Sequence, residues 1–241
     1  MFLELKRLDH FCTKNSIQYA FFGGVATAGF LGEFVRPLHD IDVVIAQKDL
    51  RIMSGFLRLK GFRAHGTHSS QKAGFRRFSK RTPAGEIVIQ VFPGLFKLLD
   101  GTNGRRLLWA YDFSYALDRA QSRTMHSLDR SQMLSLRVIP LEDLLLSKLW
   151  PYFESNMVFD LALLLRFVVS KHSFDPEYFV ARLNSGSPKM KKECVQNLAR
   201  FDDTVKQSAV LDALADDKLY QSIELVKESF EVAARKNGNS S

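Results

Sequence analysis

Apolar positions alternate between helical and strand spacing over roughly the first 95 residues. Apolar residues recur at helical intervals over Phe2–Lys14, and a short β-rich run covers Ile17–Phe22. The same criteria predict helices at 25–31 and 50–60, and strands at 40–46, 75–79 and 86–92. Alternating helices and strands are typical of a sheet covered by helices, so this half of the chain is predicted to be an α/β domain.

The second half of the chain has mostly helical spacing. Segment 98–137 has no clear period, Val138-Ile139 is a candidate for one more strand, and helical patterns dominate from Pro140 onward. Helices are predicted near 155–170, 176–184, 188–200 and 204–235. The predicted fold class is α/β (α+β), a mixed sheet flanked by helices and followed by a helical C-terminal domain. The predicted divisions are 1–137, 138–235 and a disordered tail at 236–241.

Two acidic residues lie on one face of a predicted strand. Successive side chains of a strand point to opposite faces, so Ile41, Val43 and Ile45 share one face while Asp40 and Asp42 share the other. The two carboxylates are about 6.6 Å apart along the strand. Oxygen ligands at this spacing can hold one or two Mg²⁺ ions that bridge to substrate phosphates.

Two glycines precede these carboxylates in the sequence. Gly23-Gly24 lies between a predicted strand and a predicted helix. Glycines in this place let backbone N–H groups approach a triphosphate, and the helix that follows presents its positive end. A Gly-Gly pair alone usually forms a turn, and an Asp-x-Asp pair alone usually ends a solvated strand. Their combination in this order favours a site for a metal and a nucleotide.

These motifs carry a resemblance to a known family. The stretch from Phe21 to Ile45, with Gly23-Gly24, Arg36-Pro37 and His39-Asp40-Ile41-Asp42, resembles the helix-turn and Asp-x-Asp motif of the DNA polymerase β-like nucleotidyltransferase superfamily. The stretch Ile139–Leu149 resembles a second element of stand-alone prokaryotic members, including the abortive-infection toxin group, and Asp160–Leu164 resembles the helix after it. The resemblance covers roughly residues 15–165 and implies a nucleotidyltransferase-type mixed sheet.

The resemblance also implies roles for individual residues. Asp40 and Asp42 would be the catalytic metal ligands, with Mg²⁺ as cofactor. Gly23, Gly24 and Arg36 would bind the phosphates of an NTP such as ATP. Lys148 would contact the nucleotide phosphates or the acceptor, although a lysine at this position of a helix is also typical of a solvated surface.

One position departs from the family pattern. The superfamily normally supplies a third carboxylate from a later strand, and the matching position on the strand 86–92 is Gln90. A glutamine can offer an oxygen to a metal but cannot act as a carboxylate base. Glu86 lies on the same strand face but about 13 Å away. Either the enzyme works with a substituted third position, or the chain keeps the fold and nucleotide binding with little transfer activity.

Charge adds a second candidate surface. The formal net charge is +8, and the segment 58–81 holds eight Lys or Arg residues and no Asp or Glu. Cations interleaved with Phe75 and Phe78 could bind a nucleic acid such as tRNA. The cations in question are Arg76, Arg77, Lys80 and Arg81. Alternatively, the segment is a solvated hairpin with its phenylalanines in the core, or it neutralises a nucleoside triphosphate.

The sequence also excludes several classes of protein. Two cysteines cannot form a disulfide framework, no apolar run reaches the roughly 18 residues of a membrane span, and no signal-peptide pattern begins the chain, so the predicted location is cytoplasmic. The leading hypothesis is an Mg²⁺-dependent nucleotidyltransferase that moves a nucleoside monophosphate from an NTP to a hydroxyl on RNA, protein or a small molecule. The alternatives are a catalytically weakened nucleotide- or nucleic-acid-binding module, and a toxin–antitoxin component that binds a partner protein.

Overall fold

The chain folds into two compact units, Met1–Pro140 and Leu141–Ser241, in a computed structural model. The structure describes residues 1–65, 75–99, 107–150, 155–171, 173–207 and 214–238. None of the helices in these ranges is both long enough and apolar enough to cross a lipid bilayer.

The N-terminal unit contains nine described strands and four described α-helices. In chain order they are α1 (Phe2–Lys14), β1 (Tyr19–Phe22), α2 (Gly23–Leu31), β2 (Asp40–Ile45), α3 (Leu50–Leu59), β3 (Arg63–His65), β4 (Arg76–Thr82), β5 (Gly85–Pro93), β6 (Leu95–Leu99), β7 (Leu107–Asp112), α4 (Ser114–Asp118), β8 (Gln121–His126) and β9 (Met133–Val138). A 3₁₀ turn at Gln47–Asp49 leads into α3.

Seven of these strands form one mixed sheet in the order β3-β4-β5-β2-β1-β9-β8. The β2–β5 and β1–β9 pairs are parallel, and the other neighbouring pairs are antiparallel. The strands β6 and β7 form a separate antiparallel pair. The helices α1, α2 and α3 contact strands of the large sheet. The predicted mixed sheet flanked by helices is therefore confirmed.

Burial explains why β2 forms with a defined orientation. Ile41, Val43 and Ile45 are fully buried, whereas Asp40 and Asp42 on the opposite face are half-buried. A slip of one residue would bury both carboxylates and expose three branched apolar side chains, so the register is strongly specified. The predicted orientation of this strand agrees with the structure.

The segment 98–137, which had no clear period, contains more structure than the sequence analysis predicted. It holds the end of β6, all of β7, α4 and β8, and most of β9. The predicted strand Val138-Ile139 is instead the end of β9, whose burial alternates strictly between exposed and buried residues. Residues 100–106 lie outside the described part of the chain.

The C-terminal unit is helical throughout its described residues. Its helices are α5 (Leu141–Leu149), α6 (Ser155–Phe167), α7 (Pro176–Ser185), α8 (Pro188–Gln207) and α9 (Asp217–Gly238), with a 3₁₀ turn at Val169–Lys171. The helix predicted near 188–200 is longer than expected, because α8 continues to Gln207. Asp202 accepts hydrogen bonds from Lys206, one turn later, and from Lys227 of α9, and these bonds hold the carboxylate within the helix.

The end of the chain also differs from the prediction. The helix α9 extends to Gly238, into the segment 236–241 predicted as a disordered tail. Residues 208–213, within the helix predicted at 204–235, and residues 239–241 lie outside the described part of the chain.

The helical unit contains two buried ion pairs. Lys148 Nζ donates to Asp160 Oδ2 at 2.7 Å, and Arg182 Nε donates to Asp143 Oδ1 at 2.8 Å. Tyr178 also donates its hydroxyl proton to Asp143. All four charged side chains are nearly inaccessible to solvent. Removing one partner of such a pair leaves a buried charge uncompensated, which typically costs about 3–5 kcal/mol.

Glu142 should make the stability of this unit depend on pH. Burial raises the pKa of its carboxyl from 4.5 to about 7; Asp143 and Asp175 add to this rise, and backbone N–H donors oppose it. The folded chain therefore binds this proton more tightly than the unfolded chain does. The stabilisation is fully present below pH 4.5 and is lost as pH rises through 7, a change on the order of 3 kcal/mol.

The test is the free energy of unfolding in urea between pH 4.5 and 8. Glu142→Gln should flatten the decline, because the amide keeps an oxygen for the Asp175 N–H, which Glu142 accepts at 2.6 Å, but does not ionise. Glu177→Gln changes an exposed glutamate of α7 and is the matched control. An unchanged decline in Glu142→Gln would contradict the assignment.

Candidate functional site

The site is built around Asp40 and Asp42, which open the strand β2. Both point to the same face of the sheet, which we call the carboxylate face. The strand β1 runs antiparallel beside β2, with Phe22 opposite Asp42. Because Gly23 directly follows Phe22, the start of α2 is brought next to the Asp42 carboxylate.

Gly23 fits closely against Asp42. Its backbone is left-handed, with φ +60°, and a Cβ added there would lie 2.2 Å from Asp42 Oδ2. Thr27 Oγ1 donates a hydrogen bond to the Gly23 carbonyl at 3.0 Å, which fixes the first turn of the helix. A residue with a side chain would therefore be strained at this position and would also displace the carboxylate.

The N-terminus of α2 has the features of an anion site. The first N–H groups of a helix have no intrahelical acceptor and carry the positive end of the helix dipole. A Cβ at Gly24 would lie 2.6 Å from Leu38 Cδ2 and 3.9 Å from an Arg36 guanidinium nitrogen. Arg36 is half-buried, and its side chain is held near Gly24. The two glycines, the helix end and this cation lie together beside Asp42.

Gln90 completes the immediate surroundings of the carboxylates. The strand β5 runs parallel to β2 with Gln90 directly opposite Asp42. Its Nε2 donates to Asp40 Oδ2 at 2.8 Å. Val88 lies opposite Asp40, and Glu86 is exposed further along β5. The neutral amide of Gln90 therefore contacts Asp40 at the position where the family pattern has a carboxylate.

The donor set fits a magnesium ion bound together with a phosphate. Among the residues that the structure describes, no group of three or more His, Cys, Asp or Glu side chains is arranged to hold a metal by itself. Mg²⁺ usually takes one or two carboxylates and completes its shell with substrate phosphates and water. Asp40 and Asp42 supply oxygen ligands on one face, and the glycine end of α2 supplies an adjacent place for phosphate.

The four predicted nucleic-acid-binding residues divide between the two faces of the sheet. Arg77 lies opposite Gln90 and Arg81 lies opposite Glu86, so both are on the carboxylate face. Arg76 and Lys80 are on the other face. Phe78 is buried there, and Phe75 stacks on Phe92 with ring centroids 5.1 Å apart. The predicted alternative with phenylalanine in the core is therefore correct for Phe78.

Two residues that the sequence analysis did not single out also lie on the carboxylate face. Arg63 and His65 of β3 lie opposite Ser79 and Arg77 of β4. They belong to the basic segment 58–81, of which residues 66–74 lie outside the described structure. The strand β3 has three exposed residues and no apolar alternation. No hydrophobic pattern marked it as a strand, so the orientation of its side chains was not predictable.

Lys148 lies in the C-terminal unit and is buried there in its ion pair with Asp160. Its predicted contact with a nucleotide remains a prediction. The acidic start of the same helix also has structural contacts, since Asp143 binds Arg182 and Glu142 accepts the Asp175 N–H.

Gly23→Ala should weaken the binding of Mg²⁺ and nucleotide because it displaces Asp42. Moving a ligand or its support typically reduces metal affinity about 10- to 100-fold. The measurement is the Mg²⁺-NTP dissociation constant from titration calorimetry.

Gly32→Ala is the matched control for this experiment. Gly32 ends the same helix with a left-handed φ of +85°, and an added Cβ would meet no atom within 4 Å. Both substitutions impose a similar conformational cost, about 1 kcal/mol. Equal loss of affinity in both variants would contradict the role assigned to Gly23.

The chain is similar in structure to several solved proteins at low sequence identity. It matches the crystal structure of the lincosamide antibiotic adenylyltransferase LnuA bound to lincomycin, with a TM-score of 0.48 and 15% identity over 68% of this chain and 96% of that one. A nucleotidyltransferase-like protein from Paracoccidioides brasiliensis matches with a TM-score of 0.43 and 17% identity, covering 88% and 90% of the two chains. The antibiotic-resistance factor ANT(2'')-Ia matches with a TM-score of 0.42 and 11% identity, covering 82% and 91%. The chain matches no protein-family model and no curated protein.

Proposed function

We propose that this chain is an Mg²⁺-dependent nucleotidyltransferase of the DNA polymerase β-like type. One observation carries the proposal. Two carboxylates share one face of β2, and Asp42 lies against the left-handed glycine that opens α2. A metal held by the carboxylates and a triphosphate held by the helix end would then be neighbours. The mixed sheet that creates this arrangement supports the same proposal.

The reaction would transfer a nucleoside monophosphate to a hydroxyl group. The acceptor oxygen would form a bond to the α-phosphorus, the bond to pyrophosphate would break, and the hydroxyl proton would pass to solvent. Bound Mg²⁺ would neutralise charge on the phosphate oxygens. Asp40 and Asp42 would hold the metal, while the N–H groups at Gly23 and Gly24, with Arg36, would bind the triphosphate.

Gln90 would have a positioning role in this reaction. Its amide donates to Asp40 Oδ2, which restricts the orientation of that carboxylate. It cannot accept the proton of the attacking hydroxyl. The transfer rate should therefore lack the roughly 100- to 10,000-fold contribution of a general base.

The proposal extends to the predicted domains, location and acceptors. The nucleotidyltransferase-like domain would be 1–137 and the helical domain 138–235, and the protein would act in the cytoplasm. The acceptor would be a hydroxyl on RNA, on a protein or on a small molecule. Lys148 would contribute to the site only if the ion pair with Asp160 were exchanged for a phosphate contact.

Transfer of an α-phosphate label tests the proposal. The full chain is incubated with each of the four labelled NTPs, with Mg²⁺ or with EDTA, and with RNA, protein and hydroxylated small molecules as acceptors. Labelled product that requires Mg²⁺ is the expected result. No transfer from any NTP to any acceptor class would contradict the proposal.

Gln90 favours a second candidate function. A chain without a third carboxylate could bind Mg²⁺ and a nucleotide without transferring it. Such a module would be stabilised by NTP with no turnover, by about 2.7 kcal/mol at 100 times the dissociation constant. The unfolding temperature is measured with and without each NTP. A rise in this temperature without label transfer indicates the binding module, and a rise with label transfer indicates the transferase. No shift with any NTP would exclude both.

A further inference from the structure

A row of polar side chains that includes Arg77 extends the carboxylate face away from the aspartates. Across the sheet, Asp42 lies opposite Gln90, Gln90 opposite Arg77, and Arg77 opposite His65. Side chains that are directly opposite on neighbouring strands point to the same face. With strands about 4.8 Å apart, the row leads from the metal ligands to the edge of the sheet over about 14 Å.

The row ends at a cationic cleft of about 530 Å³. Its lining includes Arg63, His65, Ser79, Lys80, Arg81 and Glu86. A His65 ring nitrogen lies 2.6 Å from Ser79 Oγ, which holds the imidazole against the sheet. Lys80 belongs to the opposite face and pairs with Glu4, so the excess of positive charge in the cleft comes from Arg63 and Arg81 against the single carboxylate of Glu86.

The arginines of this surface are not committed to ion pairs. Arg63, Arg77 and Arg81 are all exposed. In the described part of the N-terminal unit, the ion pairs of Glu4 and Glu33 are made with Arg7, Lys80 and Arg130, and not with these three arginines. Their guanidinium groups are therefore available to a ligand. A guanidinium binds phosphate through two parallel hydrogen bonds, which makes arginine the favoured residue for this ligand.

The glycines and the cleft lie on opposite sides of β2, so they can bind two different ligands. The sheet order places β1, and the Gly23-Gly24 segment after it, on one side of β2, and places β5, β4 and β3 on the other. In phosphoryl transfer the attacking and leaving oxygens are roughly in line with phosphorus. If pyrophosphate leaves toward the glycines, the acceptor must approach from the side of β5 and the cationic cleft.

We propose that Arg77 and the cationic cleft form the acceptor site and that the acceptor carries phosphate. This inference rests on the proposed nucleotidyltransferase function. Arg77 would bind a phosphate close to the reacting hydroxyl, and Arg63 and Arg81 would bind phosphate further from it. Such phosphate has two sources, the phosphodiesters of an oligonucleotide or the phosphate monoester of a small molecule.

Binding without turnover tests the acceptor site. The full chain is titrated, without Mg²⁺ or NTP, into a fluorescein-labelled 12-nucleotide single-stranded RNA and followed by anisotropy. Arg77→Gln and Arg81→Gln should each weaken binding about 10-fold, the range for one charge-assisted hydrogen bond. Each should also reduce the slope of log affinity against log salt by about 0.7, because the variant neutralises one phosphate fewer.

Arg76→Gln is the matched control. It removes the same charge from the same strand, one residue away and on the opposite face. Binding should change less than 2-fold, while circular dichroism shows that all three variants are folded. An equal loss in Arg76→Gln would overturn the proposal, because net charge would then explain the binding. No binding of RNA, ribose 5-phosphate or inorganic phosphate would overturn it as well.

Competition identifies the source of the phosphate. An oligonucleotide acceptor is supported if a 100-fold molar excess of ribose 5-phosphate does not displace the bound RNA and if longer RNA binds more tightly. A small-molecule acceptor is supported if ribose 5-phosphate displaces RNA at similar phosphate concentrations. If Arg77→Gln weakens Mg²⁺-ATP binding and not RNA binding, Arg77 belongs to the triphosphate site and the inference fails.

The inference and the proposed function can fail independently. Phosphate-dependent binding at the cleft with no label transfer would reject the transferase and leave the cleft as a phosphate-binding surface. Mg²⁺-dependent transfer that is unaffected by Arg77→Gln and Arg81→Gln, at acceptor concentrations below KM, would support the transferase and reject this acceptor site.

Discussion

Asp42→Asn is expected to reduce nucleotide transfer about 1,000-fold. The substitution replaces a charged metal ligand by a neutral amide of the same shape, so the contact with Gly23 keeps its geometry. Metal stabilisation of charge is worth several kcal/mol, and each 1.36 kcal/mol corresponds to a tenfold change in rate. The measurement is the single-turnover rate of label transfer at saturating Mg²⁺ and NTP.

The control for this prediction is Glu33→Gln. Glu33 is a carboxylate of the same unit whose ion pair with Arg130 is exposed, and such pairs contribute little to stability. Its transfer rate should remain within about twofold of the original chain. Unfolding temperatures should confirm that both variants are folded. An Asp42→Asn variant that transfers label as fast as the original chain would remove the basis for the proposed mechanism.

The core of the candidate site was predictable because it depends on local patterns. The alternation of Ile41, Val43 and Ile45 fixed which face of β2 carries the carboxylates, and burial of these residues enforces that orientation. Gly23-Gly24 stood out as a pair between a predicted strand and a predicted helix, and the structure adds that the Gly23 backbone is left-handed. Each of these signals comes from a few neighbouring residues.

The surroundings of the site depend on pairings between distant segments. Gln90 lies opposite Asp42 through a parallel pairing that no turn dictates, so only the family resemblance indicated it. The β4–β5 hairpin is different, because pairing Thr82 with Gly85 across its turn fixes every later pair, including Arg77 with Gln90. The split of the four predicted cations between two faces could therefore have been derived from the sequence.

Other differences reflect polar contacts that a one-dimensional pattern does not contain. The position of Lys148 in its helix is typical of a surface residue, yet its side chain is buried. Its ion pair with Asp160 balances the buried positive charge. Asp202 is a charged residue within the apolar pattern of α8, and the helix continues past it. Its carboxylate accepts a hydrogen bond from Lys227 of α9. By contrast, Leu134, Leu136 and Val138 alternate with exposed residues along β9, a pattern that is typical of a half-buried strand.

Gln90→Asp is expected to increase the rate of nucleotide transfer about 100-fold. The new carboxylate would lie opposite Asp42, where it could accept the proton of the attacking hydroxyl. A positioned general base contributes about 100- to 10,000-fold, and the lower value allows for imperfect placement of an engineered group. The measurement is the single-turnover rate of label transfer by Gln90→Asp and by the original chain. If the original chain transfers no detectable label, transfer by the variant is compared with the detection limit.

A second measurement separates this effect from a change in folding. Without Mg²⁺, Gln90→Asp loses the hydrogen bond to Asp40 and places a third negative charge beside two others, so the unfolding temperature should fall. Mg²⁺ should restore it, by a larger shift than in the original chain. Gln90→Asn has the length of aspartate without its charge, and it should show neither the faster transfer nor the larger Mg²⁺ shift.

The combination of outcomes decides what Gln90 does. Faster transfer with a larger Mg²⁺ shift would mean that the original chain lacks only a base, and that its fold and metal site are competent. A larger Mg²⁺ shift without faster transfer would contradict the expected role of the missing carboxylate. The rate would then be limited by how the acceptor is held, and the arginines of the carboxylate face would control it more strongly than Gln90 does.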